Sequence, residues 1–184
     1  VRWEELFGDL EAQAEQLAAA ELQAEVADRT RREVGLLGLV DRLRESQGHP
    51  LGLAVWGAGA VHGRLLDAGP DWLLLEEAGR REVLIPLAAV LGVTGVGART
   101  AAPGGQGVVA GRLDLRWALR GLARDRAGVA VVLRDGSTVA GTLDRVGADH
   151  VDVAEHAPGE PRRAAAVRQV RLVPLTALGL LRSS

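Results

Sequence analysis

The stretch Val61–Leu75, VHGRLLDAGPDWLLL, has a second version at Val139–Val153, VAGTLDRVGADHVDV. The two align without a gap at an offset of 78 residues, and Val61/Val139, Gly63/Gly141, Leu65/Leu143, Gly69/Gly147 and Asp71/Asp149 are identical pairs. In each copy the apolar residues alternate: Val61, Leu65, Leu73 and Leu75 in the first, Val139, Leu143, Val151 and Val153 in the second. A period of two marks a half-buried strand. Gly63 and Gly141 fall inside such runs, where glycine marks a sharp bend or a close backbone approach. Gly69 and Gly147, each followed two residues on by Asp, read as turns.

The repeat reaches beyond this core. At the same offset Arg42–Gln47 lies over Arg120–Asp125, so a helix precedes the strands in both copies. Downstream, LIPLAAV at Leu84–Val90 matches LVPLTAL at Leu172–Leu178, where the offset has grown to 88. The ten extra residues fall in EHAPGEPRRAAAVRQ, and an insertion of that kind belongs in a surface loop between strands. Each copy reads as a helix, three strands, a variable loop, a strand ending in an apolar-Pro-Leu step, and a last short strand.

That order resembles the Sm-like and SH3-like small β-barrels, over about residues 40–95 and 118–182. VVLRDGSTVAGTLDRVGADHVDV is similar to the first Sm motif. The resemblance implies five bent strands curled so as to lose their edges. Sm proteins bind RNA through a turn with Asp and Asn and through an Arg-Gly pair. Here the turns read Gly69-Pro70-Asp71-Trp72-Leu73 and Gly147-Ala148-Asp149-His150-Val151, without Asn. The second motif reads Ile85-Pro86-Leu87 and Val173-Pro174-Leu175, without Arg-Gly. The N-terminal RWEELFGDLEAQ is similar to a family from high-GC bacteria.

The expected fold is therefore α+β: an N-terminal helical segment followed by two tandem Sm/SH3-like five-stranded β-barrels, each preceded by a helix. The expected divisions are an acidic helical segment at 1–38, a first barrel at 39–96, a flexible Gly/Ala linker at 97–111 and a second barrel with its leading helix at 112–184. Residues 3–45 contain no Pro, and Trp3, Phe7, Leu10, Ala14 and Leu17 follow a 3-4-3-4 spacing, one apolar helical stripe. Gly35 predicts a break, and Gly48-His49-Pro50 a stop.

Composition narrows the function classes. The chain has 184 residues, 47% apolar and 25% charged, which suits a globular protein of one ordinary or two small domains. It has no Cys, which excludes disulfides, thiolate nucleophiles and Cys-ligated metals. All 22 basic residues are Arg, in keeping with the Ala, Gly and Leu bias of a GC-rich genome. No run approaches 18 apolar residues and no signal pattern opens the chain, so a soluble cytoplasmic protein without membrane contact is expected. Residues 1–98 carry 9 Arg against 16 carboxylates and residues 99–184 carry 13 against 8, so the halves suit different partners or each other.

Two features suggest binding. Arg112, Arg116, Arg120 and Arg124 recur at i, i+4 on one helical face, a stripe able to neutralise phosphates. Arg162, Arg163, Arg168 and Arg171 form a second basic cluster around the inserted loop. The acidic helix, with Trp3, Phe7 and Leu10, suits a protein partner or self-association, and Trp72 suits a partner contact at the barrel end. His49, His62, His150 and His156 lie on separate segments, so no metal is expected. Ser46, Ser137, Ser183 and Ser184 lie in no nucleophile motif, and no phosphate-binding loop precedes a helix, so neither catalysis nor a cofactor is expected. The leading expectation is a non-enzymatic adaptor built from two barrels and an acidic helix. The alternative is an RNA- or DNA-binding regulator that uses the Arg stripe and the Arg loop.

Overall fold

A computed structural model of the chain describes residues 2–97, 113–160 and 162–183. The chain divides after Gly38 into a helical unit and a sheet unit, Leu39–Ser184. In the first, α1 (Arg2–Gly35) runs without a Pro and stops at the expected glycine. Its C-terminal half is held by i, i+4 pairs, Arg29–Glu33 at 3.2 Å and Arg32–Asp28, and exposes Leu22, Val26 and Val34. The side chains of Trp3, Phe7 and Leu10 lie outside the described ones.

In the sheet unit the repeat recurs element by element, at an offset of 78 residues through the third strand and of 88 for the last two. A short α2 (Leu39–Arg44) leads into β1 (Pro50–Val55), β2 (Gly59–Ala68), β3 (Trp72–Glu77), β4 (Arg81–Pro86) and β5 (Val90–Thr94). Then α3 (Leu115–Asp125) leads into β6 (Gly128–Leu133), β7 (Thr138–Val146), β8 (His150–Glu155), β9 (Gln169–Pro174) and β10 (Leu178–Ser183). Leu51 pairs with Gly63 and Val129 with Gly141, and both second strands bulge at the same place, between Leu65 and Asp67 and between Leu143 and Arg145. Pro86 and Pro174 each end a fourth strand and open a single 3-10 turn.

The mid-strand glycines explain themselves by backbone approach. A Cβ on Gly63 would stand 2.7 Å from the Glu76 carbonyl oxygen, and one on Gly141 would collide with that of Ala154. The inward alternation holds: Val61, Leu65, Leu73 and Leu75 are at most 1% exposed, and Val139, Leu143, Val151 and Val153 at most 5%.

The expectation of two closed barrels is overturned. The ten strands form one open antiparallel sheet in the order β5-β1-β2-β3-β4-β10-β6-β7-β8-β9. The order fifth-first-second-third-fourth occurs twice, and the halves join where β4 meets β10, with Leu84 opposite Leu181 and Val83 opposite Arg182. The sequence argument required each five-stranded sheet to lose its edges by curling. Here one edge of each half is satisfied by the other half instead. The cores interlock accordingly. Trp72 and Leu84 of the first repeat pack in the second core with Leu119 and Val131, while Val132 and Leu180 of the second repeat pack in the first.

Candidate functional site

The junction of the repeats builds a concavity. The turn after β2 places Asp71 beside the start of α3, where its carboxylate accepts the Leu115 N–H at 2.7 Å. The α3 N-cap is Asp114, whose side chain accepts the Trp117 N–H at 2.9 Å and pairs with Arg116 at 2.7 Å. Trp72 donates its indole N–H to the Leu113 carbonyl at 2.7 Å. These contacts tie the start of α3, which packs on β7 of its own repeat, to the turn between β2 and β3 of the other repeat.

Between them lies a groove of about 340 Å³. Trp72, Leu74, Leu84 and Leu181 form its floor, and α3 contributes Leu122 and Trp117. Trp117 is 49% exposed, whereas Trp72 is 4% exposed. Asp67, Glu82 and Asp125 stand at the rim. The Arg182 guanidinium there is engaged by Glu77 at 3.1 Å, and Ser183 Oγ accepts the Glu82 N–H at 3.0 Å. The groove therefore offers an apolar bed, an aromatic face and acidic edges.

The two aspartates at α3 titrate in opposite senses. Burial raises Asp71, assisted by repulsion from Asp114, and the Leu115 N–H opposes this only in part. Burial also acts to raise Asp114, but the hydrogen bonds from Arg116 and the Trp117 N–H outweigh it and its carboxyl sits low. Asp71→Asn keeps an oxygen for the Leu115 N–H and removes the strained charge. Because the folded pKa of Asp71 lies above its unfolded value, the charge weakens the fold as pH rises through the carboxylate range. The variant should thus gain stability on the native chain across that rise and hold the gain at neutral pH. Urea unfolding at pH 3 to 7 measures this, and a variant that loses ground as pH rises contradicts it.

The structure carries Arg116, Arg120 and Arg124 of the sequence stripe on α3. Arg112 lies outside the described residues. Arg116 is held by Asp114, while Arg120 and Arg124 are exposed on α3. On the inserted loop Arg162 makes a two-pronged pair with Asp144, both bonds 2.6 Å. Arg163 and Arg168 are exposed, and Arg171 on β9 pairs with Glu155. No described contact joins the α3 group to the loop group. Trp72 is a buried part of the groove floor and presents no free ring. Trp117 does, and sequence reading passed over it because it stood inside an apparent Arg stripe.

Among the described residues no cluster of three or more His, Asp or Glu is placed to hold a metal. His156 is 4% exposed and satisfied at both ring nitrogens, 2.8 Å from Thr142 Oγ1 and 3.0 Å from the Ala157 carbonyl. No described helix is long and apolar enough to cross a membrane. Comparison with family models, curated proteins and solved structures finds no significant match for the chain.

Proposed function

We propose that the chain is a non-enzymatic interaction protein whose junction groove takes a short segment of a partner protein, one bulky apolar side chain followed or preceded by a basic one. The observation that carries this reading is Trp117, half exposed above an apolar floor and flanked by Asp67, Glu82 and Asp125. Large apolar side chains held open to solvent beside a preformed groove are typical of binding surfaces. The acidic rim sets the sign of the partner's charge.

A randomised peptide display selected on the full chain tests the proposal. Apolar-basic segments should be enriched, and Trp117→Ala should weaken the selected peptides about tenfold or more, the effect of truncating an aromatic anchor. Failure to enrich such segments, or equal binding by the variant, overturns it. The same chain titrated with single- and double-stranded oligonucleotides at low salt covers the alternative. Binding there that falls steeply with salt and is lost in Arg120→Gln/Arg124→Gln would replace the peptide reading with a nucleic-acid one. The in-chain pairing of Arg116, Arg162 and Arg171 with carboxylates speaks for the peptide.

A further inference from the structure

The junction inside the chain joins the fourth strand of one repeat to the fifth strand of the other. Such a contact uses two different surfaces, and each repeat owns both. The chain spends only one of each. Among the described residues, the fifth strand of the first repeat, β5, and the fourth strand of the second, β9, are the two end strands of the sheet.

These end strands carry the signs of an absent neighbour. Leu84 on β4 is 5% exposed, and its counterpart on β9, Leu172, is 64% exposed. The last four residues of β4 are buried, whereas only Val173 of β9 is. The first four residues of β10 are buried, and none of β5 is. Leu91 on β5 and Val170 on β9 are 67% and 50% exposed. Beside β5 a hollow of about 360 Å³ is lined by Leu39, Arg42 and Val93. Leu39 stands 78 positions before Trp117, and Val93 and Gly95 stand 88 before Leu181 and Ser183, all three of which line the junction groove, so the hollow is that groove without its opposite wall.

We infer that a second copy of this chain docks head to tail, its β9 pairing antiparallel with β5 in the register of the internal junction. That register sets Val93 opposite the partner's Leu172 and Thr94 opposite the partner's Arg171. Leu172 then covers Val93 and the first core, as Leu84 covers the second. Continuity with the internal junction fixes the occupant: the edge that fits β5 is one this chain already owns. One position differs. Gly179 of β10 lies where a Cβ would be 2.5 Å from the Trp56 carbonyl oxygen, and its counterpart is Leu91. The hairpin of the incoming copy therefore stands off by the depth of that side chain and covers it. Repeated, such a contact closes a ring or runs on as a filament, and either carries the same strand pair.

The absence of Cys makes cross-linking a clean test. Cross-strand neighbours lie about 4.5–5.5 Å apart at Cα, within reach of a disulfide. Thr94→Cys and Arg171→Cys chains, oxidised as a mixture, should give a covalent dimer, and neither variant alone should give one. Val93→Cys mixed with Leu172→Cys should do the same if the first pair perturbs the edge, with circular dichroism confirming that each variant folds. Homodimers of single variants would show edges meeting like to like and overturn the proposal. So would folded chains that give no cross-link in either mixture.

Discussion

Leu84→Ala is expected to destabilise the sheet unit by about 2–5 kcal/mol, the range for a buried Leu whose cavity cannot fully collapse. Leu172→Ala, the same substitution at the matching position of the other repeat, should stay within about 0.5 kcal/mol in a dissociated chain, as exposed sites do. The pair differ by environment alone. Leu84 lies between β3 and β10 and belongs to a core built mainly by the second repeat, whereas Leu172 stands on an end strand. Urea midpoints at a concentration where assembly is absent measure both. Equal losses would mean that the repeats do not share a core.

Gly57→Ala should be of similar size. Gly57 turns the β1–β2 hairpin at φ +80°, where an L side chain costs about 1–2 kcal/mol. A Cβ there would also collide with the Leu133 carbonyl oxygen, a backbone atom of β6 in the other repeat. The neighbouring Trp56 ring lies 4.9 Å under the Arg134 guanidinium, which also donates to the Ala88 carbonyl at 2.8 Å. The hairpin is thus wedged against the second repeat, and an added methyl must push strand β6 away. Gly59 is the control, since it has φ +71° but nothing within 4 Å of its Cβ. Gly59→Ala should show only the backbone cost, and Gly57→Ala at least about 2 kcal/mol more, in line with overpacking against a fixed wall. The same loss in both would place the first hairpin clear of the second repeat.

Within a repeat the fold was legible, because its signals are local. Glycine where a strand crosses close to its neighbour, the Gly-x-Asp turn and the Pro that ends the fourth strand leave marks at fixed spacing. All of them recur in the structure at that spacing. The joining of the repeats is not local. Leu84 and Leu181 pair across 97 residues, and no periodicity records which edge an apolar strand will meet. A clue was present in VLIP and LGLL, whose consecutive apolar residues mark strands covered on both faces. The closed-barrel reading absorbed that clue by supposing that each edge met its own sheet.

The groove was less legible than the fold. Trp117 and Arg120 sit on a helix whose sequence shows charge every fourth residue, and that pattern drew the reading toward phosphate. The groove floor beside Trp117 comes from Leu74 and Leu84, about forty residues upstream and in the other repeat. Asp71 was read as a turn residue, which it is, but its contact with the start of α3 depends on the junction.

The central claim is that β4 and β10 are interior strands of one sheet, and native-state hydrogen exchange tests it most directly. The amides of Arg81–Ile85 and Leu178–Ser183 should exchange together with those of β3 and β7, and only through unfolding of the whole sheet unit. Exchange of β4 and β10 well ahead of β3 and β7 would make them free edges of two separate halves, and would contradict the account.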